Sequence, residues 1–215
     1  MSRFAAELAQ FLAALQEIDA TGGPLAGEHN FYRGGSLMVY DTETRKAVAA
    51  LDGEVDSKRV MGIWEAALET RWQRPPVWIH GDVAEGNLLV REGRLCAVID
   101  FGSSGVGDPA SDLVIAWTLL KGESRDVFRA ALPLDAATWA RGRSWALWKA
   151  LITVVQSMNI NPVEATKARR IINELLADHE LAAKHVCRAL HLRRTRPACR
   201  LAHPMKIRLP VSPNR

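Results

Sequence analysis

The chain has 215 residues, 48% hydrophobic and 24% charged, with a net charge of +4; these are the proportions of an ordinary globular domain, not of a fibrous or low-complexity chain. No run of about 18 apolar residues is present, which argues against a membrane-spanning helix, and the first residues lack the basic-then-apolar layout of a secretory leader. The three scattered cysteines, Cys96, Cys187 and Cys199, make neither a disulfide framework nor a metal spacing, so a reducing, cytoplasmic setting is expected.

Phe4, Leu8, Phe11, Leu12 and Leu15 recur at helical spacing and predict a helix over 3–18, with Ser2 as its cap. Thr21-Gly22-Gly23-Pro24 ends it, and residues 25–36, with His29, Asn30, Arg33, Gly34 and Gly35, read as a glycine-rich loop. A second helix is expected over 42–52. A third runs from Asp56 to Trp72, with Val60, Ile63, Trp64, Ala67 and Leu68 on one face, and Pro75-Pro76 stops it.

The period then changes. Val77-Trp78-Ile79 reads as a short buried strand. Residues 87–90 and 95–99 read as a hairpin around Arg91-Glu92-Gly93-Arg94. Pro109 suits the first position of a helix that extends to Leu120. Further helices are expected over 124–131, from Asp135 to Met158, and from Asn161-Pro162 past Leu176. The tryptophans Trp117, Trp139, Trp145 and Trp148 fall in these helices and read as core, with a substrate wall as the lesser alternative. The fold class is α+β: helices, a small β segment, then more helices.

Nine Lys/Arg and no Asp/Glu follow residue 180, so residues 1–180 carry a net −5 and the positive charge belongs to the end of the chain. Two regions are therefore expected, a folded body at 1–180 and a basic tail at 181–215 that is disordered or adventitious. A basic tail can in principle attract nucleic acid, but that is the minor reading and no nucleic-acid partner is expected.

The hairpin carries the chemistry. His80-Gly81-Asp82 is followed by Asn87, then after twelve residues by Asp100-Phe101-Gly102, and then by Gly107-Asp108-Pro109. Phosphoryl transfer needs a carboxylate to orient or deprotonate a hydroxyl, and oxygen ligands for magnesium. Asp82 suits the first role; the Asn87 amide oxygen and the Asp100 carboxylate suit the second. The hairpin returns the chain so that the loops at its open end lie side by side. The Gly102, Gly105, Gly107 cluster has the spacing G-x-x-G-x-G, which is not the dinucleotide fingerprint.

This ordered set, extended by Ala110-Ser111-Asp112-Leu113, resembles the aminoglycoside phosphotransferase-like family of small-molecule kinases. The resemblance covers residues 1–180 and implies the mostly helical C-terminal lobe of the protein-kinase-like fold. It implies Asp82 as catalytic base, Asn87 and Asp100 as Mg2+ ligands that also bind the ATP phosphates, and His80 as a residue that orients the loop. Asp108 and Asp112 would be structural, Asp108 as a helix cap. Gly81 and Ala84 stand where protein kinases carry Arg and Lys, which points to a small-molecule hydroxyl acceptor.

An enzyme of this type also needs an N-terminal lobe with a phosphate-covering loop and a strand-borne lysine. No such segment precedes His80; Lys46 and Lys58 lie in predicted helices. The nucleotide-binding lobe is therefore expected to be absent from this chain, with ATP a co-substrate only where a separate polypeptide supplies that lobe. The surface it would cover is a liability for self-association. Two functions follow: a phosphotransferase moving the ATP γ-phosphate to a hydroxyl, or a catalytically inactive C-lobe or binding module. The acidic body suits a cationic acceptor, with Glu164, Glu174 and Asp178 as candidate contacts.

Overall fold

The apolar stripe of the first segment forms helix α1 (Ser2–Gln16) and buries Phe4, Leu8 and Leu12. Ser2 is its first residue, and no side chain caps it, so the expected Ser2 cap is not made. The computed structural model describes the backbone of residues 1–194 and side chains as far as residue 182. The glycine-rich loop holds a single 3-10 turn, Glu28–Asn30, followed by Phe31 and Tyr32, both left-handed at φ 52° and 54°. Helix α2 (Asp41–Ala50) follows a short 3-10 turn, Leu37–Tyr40. Helix α3 (Ser57–Leu68) starts where the Asp56 side chain accepts from the Arg59 amide. It ends short of the predicted Trp72. That indole lies beyond the helix and donates to the Pro75 carbonyl at 2.9 Å.

Four short strands follow: β1 (Val77–Ile79), β2 (Leu88–Arg91), β3 (Arg94–Val98) and β4 (Gly105–Gly107). β2 and β3 form the expected antiparallel hairpin, with Leu88 opposite Val98. Its two-residue turn puts Glu92 and Gly93 at positive φ (52° and 74°), as a type I′ turn requires. β1 pairs antiparallel with β4, Val77 opposite Gly107. That pairing was not anticipated, because β4 reads in sequence as a glycine cluster.

The segment after Asp108 begins as a 3-10 helix (Pro109–Val114), capped by the Asp108 side chain, and becomes helix α4 (Ile115–Thr118). Helices α5 (Glu123–Ala131), α6 (Ala136–Ser157) and α7 (Pro162–Arg194) complete the described chain. Asp135 caps α6 by accepting from the Thr138 amide, and Asn161 accepts from the Glu164 amide at the start of α7.

The chain divides by its contacts into Met1–His179 and a unit that begins at Glu180. Of the expected basic tail, residues 181–194 are helical and the rest, 195–215, lies outside the described residues. Among the described residues no helix is long and apolar enough to cross a membrane.

α6 runs through the first unit, packed on α2, α3 and the 3-10 segment after Asp108. Trp64, Trp117 and Trp145 are fully buried. Trp117 and Phe128 both meet the edge or face of Trp139, at centroid separations of 6.0 and 6.1 Å. The tryptophan clusters are core, as the helical placement implied.

Three arginines are drawn into this unit by carboxylates. Arg141 donates to Asp108 at 2.5 and 3.3 Å and also to Thr70 and Thr138. Arg143 donates twice to Asp178, at 2.9 and 2.6 Å. Arg125 pairs with Glu174 at 2.5 Å. Glu174 and Asp178 therefore anchor α7 to α5 and α6, and they are not free to recognise a cationic acceptor. Burial pushes the Asp108 carboxyl above the usual range, against the opposing pull of Arg141.

Removing one partner of a buried charge pair strands the other. Arg141→Ala is expected to destabilise the fold by about 3–5 kcal/mol, read from urea unfolding midpoints. A loss below about 1 kcal/mol would show that Asp108 finds another donor or water.

Candidate active site

His80 directly follows β1, and Asn87 and Asp100 flank the open end of the β2–β3 hairpin. The Asn87 carbonyl accepts from the Ile99 amide at 3.0 Å, so the segments before β2 and after β3 are tied together. The three candidate residues Asp82, Asn87 and Asp100 thus come from two adjoining loops, as their spacing implied.

One buried carboxylate holds the first of these loops. Asp112, 1% exposed, accepts from the His80 amide at 2.9 Å and the Gly81 amide at 2.7 Å, one on each oxygen. Burial raises its pKa to about 6; the two amides, His80 and the Arg33 guanidinium pull the other way. The close fit leaves no space for a side chain at residue 81. Gly81 has φ +82°, and a Cβ there would stand 2.1 Å from the Ser103 carbonyl oxygen. Gly81 is thus required by the backbone itself.

His80 is fully buried. Its Nε2 lies 3.0 Å from the Ile99 carbonyl, and its Nδ1 lies 3.3 Å from the Asp82 amide. A carbonyl only accepts, so Nε2 carries the proton and Nδ1 accepts from Asp82. The imidazole therefore bridges the two loops, with Phe101 against its ring at 4.7 Å between centroids. This is an orienting position, and His80 has no free ring nitrogen for a reacting group.

Asp82 stands at the surface of this arrangement, its side chain 37% exposed. Asn87 Nδ2 donates to its carbonyl at 2.9 Å and to Oδ2 at 3.1 Å. Lys149, from α6, approaches Oδ1 at 3.3 Å. Asn87 spends its amide nitrogen on Asp82, and its Oδ1 accepts no hydrogen bond among the described residues. Asp100 is exposed and left-handed at φ 64°, ψ 67°, and its carboxylate is likewise without a donor. One amide oxygen and one carboxylate, both hard and uncommitted, suit magnesium, which takes few protein ligands and fills the rest with phosphate and water. They fall short of a self-sufficient metal cage: among the described residues no three His, Cys, Asp or Glu side chains gather to hold an ion.

The sequence reading missed Lys149 and Arg33. Arg33 leaves the strained Phe31-Tyr32 pair and lies over both Trp145 and Trp148, 5.0 Å from each ring centroid. Tyr40 stacks on Trp148 at 4.0 Å. The signal for Lys149 was a charged residue directly after Trp148 in an otherwise apolar turn of helix. A larger cavity of about 510 Å³, lined by residues such as Leu37, Leu68, Trp72 and Arg141, contains none of the candidate residues.

An aspartate whose folded pKa lies above its unfolded value of 3.8 costs stability as pH rises through the interval between them. From pH 7 down to pH 4, the native protein should gain stability relative to Asp112→Asn by on the order of 2–3 kcal/mol. Urea melts across that range measure it; a flat difference would mean that the carboxylate is ionised at no cost in the fold.

Residues 2–145 match the Phosphotransferase enzyme family. Over 60 residues the chain is 38% identical to an Escherichia coli aminoglycoside 3'-phosphotransferase, a stretch that covers 27% of this chain and 22% of that protein. It is 30% identical over 175 residues to the uncharacterized protein YcbJ of Bacillus subtilis (strain 168), covering 76% and 51%. Among solved structures, a thermostable mutant of the aminoglycoside phosphotransferase APH(4)-Ia in apo form superposes with a TM-score of 0.56 at 19% identity, covering 82% of this chain and 65% of that one. The GDP and kanamycin complex of APH(2")-IIia gives 0.55 at 15% identity, covering 82% and 63%. At such identities the likeness is one of fold, and the chain spans less than two thirds of each of these proteins. The family match takes in most of the chain and every residue from His80 to Asp112; the chain belongs to the Phosphotransferase enzyme family.

Proposed function

We propose that residues 1–180 are the acceptor-side, C-terminal lobe of a small-molecule kinase that moves the γ-phosphate of ATP to a hydroxyl, with Asp82 as base. The observation that carries this reading is the state of Asp82. Its carboxylate is half-exposed at the end of a rigid loop, with one oxygen turned to Asn87 and the other to Lys149.

On this reading Asp82 accepts the proton of the acceptor hydroxyl as its oxygen bonds to the γ-phosphorus. The bond from that phosphorus to the β,γ-bridging oxygen breaks, and ADP leaves. Asn87 Oδ1 and Asp100 would hold magnesium, which supplies positive charge against the phosphate oxygens. His80 and Asp112 touch none of the reacting atoms; they fix the loop so that Asp82 needs no reorganisation on binding. Among the described residues no strand carries a lysine, and Lys46 and Lys58 lie in α2 and α3. Turnover on this reading therefore needs a nucleotide-binding lobe, whichever polypeptide bears it.

In the presence of such a lobe from a relative, magnesium-dependent ADP formation with a hydroxyl acceptor is expected. Asp82→Asn should lower kcat by about 10²–10⁴-fold without changing the circular dichroism spectrum. Absence of turnover across hydroxylated acceptors, with the lobe bound, would favour the alternative of an inactive C-lobe or binding module.

A further inference from the structure

The two oxygens of Asp82 divide its surroundings. Oδ2 faces Asn87, whose carbonyl is tied to Ile99, the residue before Asp100, so phosphate and magnesium would gather on that side. Oδ1 faces Lys149 and a cleft lined by Arg33, Gly81, Val83, Ser111 and Val114. By its placement this is the acceptor side, so the inference rests on the reading of Asp82 just given.

Two polar groups of that cleft are left over. The Ser111 Oγ is buried with no hydrogen-bond partner, and so is the Nε of Arg33. Ser111 is only 3% exposed. The carboxylates nearest to Arg33 do not satisfy it: Asp112 gives one oxygen to each of the His80 and Gly81 amides, and Asp82 is committed to Asn87 and Lys149. They attract the guanidinium through the field alone. Arg33 stays in place through the Trp145 and Trp148 faces, an arrangement that fixes a cation while leaving its donors free. Unpartnered buried donors are costly, and a ligand that accepts hydrogen bonds removes the cost.

The chemistry of the ligand follows from the lining. Two cations and one hydroxyl surround the cleft, and Asp82 is the one carboxylate in it. The enclosed space is about 10 Å³, room for roughly one oxygen atom, so the cleft seats part of a charged head group while the rest of the molecule extends past Lys149 to solvent. In this cleft a polycationic acceptor would meet Arg33 and Lys149 beside the single carboxylate of Asp82; Glu174 and Asp178 are held by Arg125 and Arg143, and Glu164, bonded by the Asn161 side-chain amide, lines a separate cavity that Lys149 also borders.

We propose that Arg33, Lys149 and Ser111 form an anion seat beside Asp82, and that the acceptor is a hydroxy acid, a compound carrying a carboxylate close to the hydroxyl that is phosphorylated. The seat fixes the acceptor by its negative end and leaves the neighbouring hydroxyl at Asp82. Lys149 then exchanges its contact with Asp82 for one shared with the ligand, which frees Oδ1 to take the hydroxyl proton.

The test is binding to the full chain by calorimetry, with no nucleotide lobe, so that its failure is separable from failure of turnover. The probes are glycerate, the neutral glycerol, the polycation kanamycin and inorganic phosphate. Glycerate should bind at least tenfold more tightly than glycerol or kanamycin. Arg33→Gln and, separately, the half-exposed Lys149→Gln should each weaken glycerate at least tenfold, and leave glycerol unchanged. Because Arg33 lies on two indoles, glycerate should also change tryptophan fluorescence in the native chain and not in Arg33→Gln. Kanamycin bound in preference to glycerate, or glycerate binding untouched in Lys149→Gln, would overturn the proposal. Phosphate binding at the same residues without glycerate binding would also overturn it, since the seat would then serve the transferred phosphoryl group.

Discussion

The Asp112 carboxylate accepts the amides of His80 and Gly81 from inside the protein, where no water competes. That contact joins the segment opening α4 to the loop carrying Asp82. Much else in the site follows from it. The two amides point inward, so the loop turns sharply at Gly81 and directs the Asp82 side chain outward. The turn brings residue 81 against the Ser103 carbonyl. His80 can then span to Ile99 on the second loop. A buried charge is an expensive means of support, but two backbone donors and the nearby Arg33 offset part of the cost. The result is a loop whose geometry is set before any ligand arrives.

A second layer surrounds this contact. Arg141 fixes Asp108 at the start of the same segment, and Arg143 and Arg125 fix α7 through Asp178 and Glu174. These pairs place α6, and α6 presents Lys149 to Asp82 and the indoles of Trp145 and Trp148 to Arg33. The site is therefore made by two distant pieces of chain, the hairpin loops and α6, joined by the 3-10 segment between Asp108 and α4. The family's sequence motif contains only the first piece.

Several sequence expectations changed meaning once the chain was folded. Gly81, read as a sign of a small-molecule acceptor, has a backbone cause at positive φ. Glu174 and Asp178, read as substrate contacts from the acidity of the body, are structural partners of the partly buried Arg125 and the buried Arg143; net charge says nothing about which carboxylates are free. Helix α3 stops at Leu68, short of the prolines: the Thr70 hydroxyl donates to the Ala67 carbonyl in its last turn, and the Trp72 indole beyond it donates to the Pro75 carbonyl. The β1–β4 pair was illegible because Gly105-Val106-Gly107 has no periodicity of its own; it is a strand only because β1 lies alongside.

The sequence by itself determined the helices, whose apolar stripes are local and periodic, the hairpin, whose turn residues are specific, and the ordered set His80, Asp82, Asn87 and Asp100, which lies within 21 residues. It also determined the family, since that set is contiguous enough to be recognised without coordinates. Only the tertiary structure decided which charges are spent and which are free. Arg33, which no carboxylate among the described residues bonds, and Lys149, whose partner is the half-exposed Asp82, lie 116 positions apart, and nothing local distinguishes them from Arg141 or Arg143. Pairing is a property of three-dimensional neighbours: a carboxylate that silences one arginine is absent beside the other. That difference, invisible along the chain, is what gives the cleft beside Asp82 its positive lining.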